Sequence, residues 1–407
     1  MSFYTPSSNI SNLPTCSETA LMYSQKLQTV ICEEIAATDG WISFARYMEL
    51  ALYHPGLGYY NGGAAKLGAG GDFVTAPEIS ALFGYALAKQ IKQISEQVVK
   101  HRGQADILEI GAGSGKLARD MLHELEHNDC LPQHYYILEV SAELRERQQQ
   151  FLTEQVPHLM TRVIWLEGLP EQFCGTILAN EVIDAMPVHL VEWQGADVLE
   201  RGIVWQESNR TFSWKNRPVT DDALKVIAGN LTQQINPQHD PDFRYCSEIN
   251  RAAGYFIRGL AGILQQGAVI LIDYGFGRSE YYHPQRNQGT LMCHYRHHAH
   301  DDPFYLPGLQ DITSHVDFSA LYDAAEEVGL PLMGYTTQAH FLLNCGITEI
   351  LTRTPVETAQ NYLPLANQLQ KLVSPAEMGE LFKVIAFGKA LDLPLYGFVS
   401  GDKSRML

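Results

Sequence analysis

The sequence predicts an α/β fold built around a largely parallel β-sheet. From residue 106 onward, short apolar segments (ADILEI, YYILEV, RVIWL and TILANEV) alternate with segments of helical periodicity at 116–126 and 142–154. Strands that alternate with helices indicate crossover connections, which parallel strands require. A glycine-rich turn at 111–115 joins the first of these strands to the first helix, where open sheets of this kind bind their ligands.

Composition limits the classes of protein that the chain can represent. Its 407 residues allow about two to three domains, and 45% hydrophobic with 18% charged residues is typical of a packed globular protein. The net charge of −17 excludes a large cationic surface for nucleic acid, although it suits a basic partner such as an arginine-bearing polypeptide. No apolar run is long enough for insertion into a membrane.

Cysteine and histidine usage predicts the compartment and argues against a metal site. The seven cysteines are scattered, odd in number and free of C-x-x-C pairs, which predicts a reducing compartment. The first thirty residues contain no arginine and no apolar signal-peptide core, so we expect a cytoplasmic location, in a bacterium. Four histidines are clustered: His294, His297, His298 and His300. A metal site is one interpretation of this cluster, but a surface loop over 294–311 explains it better, and we predict no metal.

The chain divides into five predicted segments. We expect a flexible arm at 1–17, a helical extension with a glycine-rich loop at 18–100, a first core part at 101–187, an insertion at 188–266 and a second core part at 267–407. The segments VHLVEW, VLERGIVWQ and TFSW predict antiparallel strands that open the insertion, with helices after them. AVILIDYG predicts a further core strand, and LMGYTTQ with FKVIAFGK predicts an antiparallel pair that closes the sheet.

The segment EIGAGSG, residues 109–115, is a candidate ligand site. Glycines let the backbone turn tightly and approach a ligand that lies against the helix N-terminus. The spacing G-x-G-x-G differs from the nicotinamide fingerprint and from a P-loop, and a simple tight connection is the alternative. Glu139, at the end of the next strand, is placed to accept hydrogen bonds from both hydroxyls of a ribose; a solvated carboxylate is the alternative there.

Four further motifs are specific in combination: GDFVTAPEIS (71–80), NEVIDAMP (180–187), DYG (273–275) and DITSHVDF (311–318). Together they resemble the MidA family of class I S-adenosylmethionine-dependent methyltransferases. The resemblance runs over residues 42–388. It implies a Rossmann-like, seven-stranded methyltransferase sheet with an N-terminal helical extension and an α+β insertion, S-adenosyl-L-methionine as cofactor, and substrate entry between the two additions.

The resemblance also implies a set of cofactor-binding residues. The GDFVTAPEIS loop would fold over the cofactor, the glycine turn would support its amino acid part, and the second-strand acid would hold its ribose. The resemblance implies an adenine contact after the third strand, and an ordinary strand-exit turn is the alternative there. The predicted residues are Thr75, Pro77, Glu109, Gly111, Ala112, Gly113, Gly115, Glu139, Val140, Gly168, Leu169 and Asn180.

Residues 75–78 also have a local interpretation. Thr75 as N-cap, Pro77 in the first turn and Glu78 three residues after the cap form a capping-box pattern. A plain helix start and a cofactor-binding role are compatible, since a helix N-terminus supplies hydrogen-bond donors.

Catalysis is expected from the carboxylates of the NEVIDAMP segment. Methyl transfer to nitrogen is an in-line displacement, so the nucleophile must be held at about 3 to 3.5 Å with its lone pair aligned. If the nucleophile is a guanidinium, a carboxylate must orient its planar fork. We predict Glu181, Asp184 and Glu78 as catalytic residues; a merely solvated or capping pair is the alternative for the first two.

The favoured function is methylation of an accessible arginine on a protein, linked by the family resemblance to assembly of the respiratory NADH dehydrogenase and to one of its subunits as partner. The resemblance also places residues 294–311 and 315–317 at the substrate side. Two alternatives stay open: methylation of a small molecule, and a cofactor-binding assembly chaperone with vestigial catalysis. The oligomeric state is open, with a homodimer as one option.

Overall fold

The computed structural model describes residues 13–62, 75–238, 240–354 and 359–407. Residues 1–12 of the predicted arm and 63–74 of the predicted cofactor-covering loop lie outside the described residues. The N-terminal part contains α1 (Glu18–Ala37), β1 (Ile42–Ser43), α2 (Phe44–Tyr53), α3 (Ala76–Ile79) and α4 (Ala81–Arg102). It is followed by β2 (Asp106–Ile110), α5 (Lys116–His127), β3 (Tyr135–Leu138), α6 (Ala142–Gln155), β4 (Val163–Leu166) and β5 (Phe173–Asn180).

The second half of the chain begins with a mainly antiparallel region and then returns to the central sheet. Its first elements are β6 (His189–Gln194), β7 (Asp197–Gln206), β8 (Thr211–Pro218), α7 (Asp222–Ile235), β9 (Arg244–Ile249) and α8 (Arg251–Ile263). The later ones are β10 (Leu264–Phe276), α9 (Arg278–Tyr281), β11 (Met292–Tyr295), β12 (His298–His300), β13 (Asp311–Thr313), β14 (Val316–Asp317), α10 (Phe318–Glu327), β15 (Leu332–Thr337), α11 (Gln338–Asn344), α12 (Ile347–Leu351), α13 (Ala359–Val373), α14 (Met378–Leu381) and β16 (Phe382–Lys389).

The central sheet confirms the predicted α/β fold. Seven strands follow the order β15-β16-β10-β5-β2-β3-β4, and the short β14 pairs with β10. The strands from β4 to β10 are parallel, and β16 runs antiparallel between β10 and β15, as the two late apolar segments predict. Hydrophobic clusters cover both faces, which explains why residues 268–272 are a continuous apolar run.

A second sheet joins the N-terminal extension to the insertion. Its order is β1-β7-β6-β9, with β8 also paired to β7. Ile42 of β1 pairs with Ile203 of β7, and the Trp41 indole donates a hydrogen bond to the Lys215 carbonyl. The strands predicted for the start of the insertion are present. Strand β9 lies in a stretch predicted to be helix-rich, and it is a strand because it pairs with the distant β6.

The histidine segment is a hairpin rather than the predicted surface loop. Cys293 of β11 pairs with His300 of β12, and Arg296 and His297 turn the chain with φ of 48° and 66°, as a tight hairpin requires. His300 is buried, and burial lowers the pKa of His294 to about 4. Among the described residues, no three His, Cys, Asp or Glu side chains come together as a metal site would need.

The described helices are all too short or too polar to cross a bilayer.

The division of the chain into five segments remains a prediction.

Two glycines allow the three central strands to approach each other closely, because they have no side chain. Gly175 of β5 lies between Asp106 of β2 and Gly267 of β10, with φ of 140° at Gly175 and 133° at Gly267. A Cβ atom at Gly175 would lie 1.9 Å from the Asp106 carbonyl oxygen. A side chain therefore cannot be added there without moving backbone that leads directly to the glycine turn.

We predict that Gly175→Ala lowers the free energy of unfolding by at least about 2 kcal/mol, because both the backbone dihedral and the contact are unfavourable. Gly229→Ala is the matched control: it lies on the exposed side of α7, where an added methyl group would meet no atom within 4 Å. The control should stabilise the protein by up to about 1 kcal/mol, because alanine favours a helix over glycine. Denaturant unfolding measures both variants, and equal stabilities would contradict the prediction.

Candidate active site

A cavity of about 380 Å³ opens at the carboxyl ends of β2, β3 and β5. This is where open α/β sheets bind ligands, because the loops that leave the strands diverge there. The cavity is lined by the glycine turn, the end of β3, the segment after β5 and tyrosines of the N-terminal extension. The cavity is therefore shared by the core and the extension.

Most of the predicted site residues line this cavity. Those that do are Thr75, Pro77, Glu78, Glu109, Gly111, Ala112, Gly113, Glu139, Val140, Asn180, Glu181 and Asp184. The described lining does not include Gly115, Gly168 and Leu169. Gly115 is instead the residue before α5, and the Leu169 side chain lies beside Gly259 of α8. These three residues do not line the cavity in the described structure, and their cofactor-binding roles remain predictions.

The glycine turn adopts the left-handed backbone that its residue types predict. Gly111, Gly113 and Gly115 have φ of 70°, 54° and 84°. A Cβ at Gly111 would lie 2.8 Å from the Val182 side chain, so the turn needs glycine there for space as well. The turn leads into the first N–H groups of the twelve-residue helix α5, which face negative charge favourably.

Glu78 does not complete the predicted capping box. The Thr75 side chain makes no capping hydrogen bond, and α3 ends after four residues. The Glu78 carboxylate instead accepts hydrogen bonds from the Ser114 hydroxyl and the Lys116 ammonium, both at 2.5 Å. Glu78 thus fastens α3 to the glycine turn, because a tertiary ion pair outcompetes the local cap.

Glu139 is a buried carboxylate that organises the cofactor side of the cavity. One oxygen accepts from the Ser141 amide at 3.0 Å and the other from the Gln148 side-chain amide at 3.1 Å. The same Gln148 amide donates to the Gly113 carbonyl, so the end of β3 and the glycine turn are joined. Burial raises the pKa of Glu139, while these hydrogen bonds lower it. Next to it, the Val140 side chain is 70% exposed and offers an apolar surface.

Glu109 lies beneath the glycine turn. Its buried carboxylate accepts a hydrogen bond from the Tyr135 hydroxyl at 2.6 Å. Burial raises the pKa of Glu109 to about 7, against the opposing effect of that hydrogen bond. Glu109 therefore adds to the acidic character of the cavity wall.

Glu181 has a left-handed backbone, with φ of 52°. This conformation is uncommon outside glycine and often marks a functional residue. The Glu181 amide donates to the Ile272 carbonyl of β10, and its carboxylate accepts from the Asn180 side chain and the Ala76 amide. Burial and the neighbouring charge of Asp184 raise the pKa of Glu181 to about 8.

Asp184 follows Glu181 by three residues, and its backbone is held by the buried Asp273. One Asp273 oxygen accepts from the amides of Ile183 and Asp184 at 3.0 and 3.2 Å. Burial raises the pKa of Asp184 to about 6, with the nearby Tyr274 hydroxyl acting in the opposite direction. The oxygen Oδ1 of Asp184 is buried and accepts no hydrogen bond from the described residues, and the same holds for Oδ1 of Asn180.

The cavity lining also includes side chains that are absent from the predicted set, among them Tyr53, Tyr60 and Asp311. The Tyr60 hydroxyl donates to both Asp311 carboxylate oxygens at 3.0 Å, and the Tyr53 hydroxyl donates to the Ala185 carbonyl at 2.9 Å. The two tyrosine rings stack with centroids 5.4 Å apart. The sequence signals are a group of tyrosines before the glycine-rich loop and the first residue of DITSHVDF, neither of which specifies a contact across the fold.

These residues fit the cofactor that the motifs imply. The glycine turn and α5 N-terminus suit its amino acid part, Glu139 suits its ribose, and Val140 suits an aromatic ring. The acceptor atoms of Asn180 and Asp184 that lack partners among the described residues offer sites for donor groups of a ligand. When bound, the cofactor supplies an electrophilic methyl group on a sulfonium.

Comparisons with known proteins agree with this fit. The profile of the family described as "Putative S-adenosyl-L-methionine-dependent methyltransferase" matches residues 86–336. The protein arginine methyltransferase NDUFAF7, mitochondrial, of Danio rerio is 30% identical over 401 residues, covering 91% of this chain and 88% of that protein. The chain belongs to the MidA family of S-adenosylmethionine-dependent methyltransferases. The Homo sapiens protein of the same name is 30% identical, covering 86% of this chain and 80% of that one.

A solved structure supports the cofactor assignment for this MidA family member. A COG1565 superfamily member from Burkholderia thailandensis, bound to S-adenosyl-homocysteine, is 47% identical with a TM-score of 0.90. The match covers 97% of this chain and all of that one. The predicted fold, enzyme class and cofactor are thus confirmed: the protein is an S-adenosylmethionine-dependent methyltransferase.

The predicted cytoplasmic location is contradicted. The relatives from Danio rerio, Mus musculus and Drosophila melanogaster are all named as mitochondrial proteins. The expectation rests on the composition of the first thirty residues, and a compartment cannot be read from the packing of the folded chain.

We predict that Glu139→Ala weakens S-adenosylmethionine binding at least tenfold. If Glu139 holds the ribose as predicted, the change removes two charge-assisted hydrogen bonds, each worth about 1.5 to 3 kcal/mol. Titration calorimetry measures the affinity, with Glu146→Ala on the exposed face of α6 as the control. Unchanged affinity in Glu139→Ala, with wild-type behaviour of the control, would remove Glu139 from the cofactor site.

Proposed function

We propose that this methyltransferase transfers a methyl group to an arginine side chain of a protein. The observation that carries the proposal is the charge of the cavity. Its described lining contains no lysine, arginine or histidine. Six carboxyl groups line it: Glu78, Glu109, Glu139, Glu181, Asp184 and Asp311. Such a cavity favours a cationic group, because burial raises the pKa of four of these groups (Glu109, Glu139, Glu181 and Asp184), and a bound cation would stabilise their ionised forms.

A guanidinium suits this cavity better than an ammonium does. Its pKa above about 12 keeps it charged, and its planar fork forms paired hydrogen bonds with carboxylates. Entry of the guanidinium would stabilise the ionised forms of Glu181 and Asp184. The attacking nitrogen loses a proton when it is methylated, so a carboxylate in contact with it serves as the proton acceptor.

We assign the two functions of the carboxylates by their surroundings. Glu181, with the pKa raised to about 8, takes the proton from the attacking nitrogen, and Asp184 holds the remaining charge on the other nitrogens. Glu78 remains a third candidate, but its ion pair with Lys116 already compensates its charge. Tyr60 and Asp311, joined by a hydrogen bond, also line the cavity.

The names of the relatives and the family resemblance support the substrate class. The NDUFAF7 proteins are named protein arginine methyltransferases. The resemblance adds a subunit of the respiratory NADH dehydrogenase as acceptor, methylated before it is buried in the complex. The net charge of −17 attracts a basic segment, but only within a Debye length of about 8 to 10 Å, so specificity must come from contacts at the cavity.

We predict that Glu181→Gln lowers turnover about a hundredfold and leaves cofactor affinity unchanged. The amide preserves shape but cannot accept the proton. Single-turnover methyl transfer measures the rate and calorimetry measures the affinity. A matched control is Glu192→Gln, whose carboxylate is paired with Arg201 in the second sheet, away from the cavity. Full turnover in Glu181→Gln would make Glu181 structural and direct attention to Asp184 and Glu78.

The same variant has a pH signature. Wild-type kcat/KM should rise with pH up to about 8, because Glu181 must lose its proton to act as base and the guanidinium stays charged throughout. In Glu181→Gln that step should disappear, which leaves the rise near pH 6 that belongs to Asp184. A profile of unchanged shape would contradict the assignment of the base.

The acceptor is tested by incubating the enzyme and methyl-labelled cofactor with each isolated subunit of the respiratory NADH dehydrogenase, its Arg→Lys variants and the assembled complex. We expect label on arginine of one isolated subunit, loss of label in one Arg→Lys variant, and little label on the assembled complex. Label on lysine, on a small metabolite alone, or equally on the assembled complex would contradict the proposal.

A further inference from the structure

A groove between α2 and α8 adjoins the cavity. Tyr53 and Val140 line both spaces. The groove passes between Arg46 and Glu49 of the N-terminal extension on one side and His189 of the insertion on the other. It therefore lies between the two additions to the core.

The groove continues beyond the cavity across the surface of α8. Arg251 and Tyr255 line it and also line a second groove, which runs between α7, α8 and α10. Val226 and Ile227 of α7 line this second groove with 62% and 38% of their surface exposed. Together the two grooves form one surface, which we call the docking track, from the cavity to α7.

Tyr255 lies at the junction of the docking track and is held in position by its neighbours. Its side chain is 61% exposed, although its ring lies 5.8 Å and 5.7 Å from the guanidinium carbons of Arg251 and Arg258. The Arg251 guanidinium also donates to its hydroxyl at 2.9 Å. An exposed aromatic ring that is already ordered loses little entropy on binding, which is why tyrosine is frequent at the centre of interfaces.

The charges of the docking track differ from those of the cavity. Its arginines are paired with acidic partners: Arg46 with Glu34 and Glu49, Arg251 with Asp221, Arg258 with Glu327, and Arg278 with Asp323. The track thus carries little uncompensated charge. Its exposed apolar groups are Tyr255, Val226 and Ile227, with Val140 beside the cavity. Contiguous exposed apolar surface beside a site is typical of a binding surface for another polypeptide.

We propose that the acceptor protein docks on this track, with its arginine in the cavity and an apolar side chain of the same segment packed against Tyr255. The inference rests on the proposed function and specifies how that acceptor is recognised. The cavity selects the guanidinium by charge, and the track selects a polypeptide by apolar contact. A small-molecule acceptor would need only the cavity.

The test compares Tyr255→Ala, Tyr255→Phe and Tyr396→Ala as full-length enzymes on the NADH dehydrogenase subunit that the wild-type enzyme labels on arginine. We expect Tyr255→Ala to raise KM at least tenfold with kcat at saturation unchanged, because docking stabilises ground and transition states equally. Tyr255→Phe keeps the ring and should restore KM to within about twofold of wild type. Tyr396, 45% exposed and outside the track, is the matched control.

The outcomes separate the docking inference from the proposed function. If the wild-type enzyme labels arginine and Tyr255→Ala has the wild-type KM, the docking inference is wrong and the proposed function stands. A fall in kcat without a change in KM would also overturn the inference, since it would indicate a structural effect on the cavity. If the wild-type enzyme labels no arginine, the proposed function fails, and the docking inference fails with it.

Discussion

The active site depends on one buried carboxyl group, that of Asp273. It accepts the amide hydrogens of Ile183, Asp184 and Tyr274, so the turn after β5 and the end of β10 are held together through a single side chain. Burial and the charges of Asp184 and Glu181 raise its pKa well above the usual range. Acidic groups this close cannot all ionise freely, and the cavity is acidic because the turn places them together.

The spacing of the central strands determines where these groups lie. The close approach of β2, β5 and β10 at Gly175 and Gly267 aligns three strand ends that carry the glycine turn, the Glu181 segment and Asp273. Side chains of the extension then complete the cavity, since Tyr53 and Tyr60 contact the backbone at Ala185 and the carboxylate of Asp311. The core therefore supplies most of the chemistry, and the extension supplies enclosure.

Sequence reasoning predicts the elements whose pattern is local. The parallel strands, the closing antiparallel pair and twelve lining residues follow from periodicity, glycine spacing and motif resemblance. It misses features that depend on distant partners. Tyr60 and Asp311 are 251 positions apart, and the Glu78 carboxylate accepts a hydrogen bond from Lys116 instead of capping its own helix. Strand β9 is missed for the same reason, because it is formed by pairing with the distant strand β6.

The pairing of β1 with β7 affects the order in which the chain can fold. Ile42 and Ile203 must meet across 161 positions of sequence, and the apolar faces of α1 and α2 are buried in one cluster with residues of β7, β8 and β13. The helices α1 and α2 therefore cannot bury these faces until strands that lie much later in the sequence have been made. We consequently expect Tyr53 and Tyr60 to take their places at the cavity late in folding, after the glycine turn has formed.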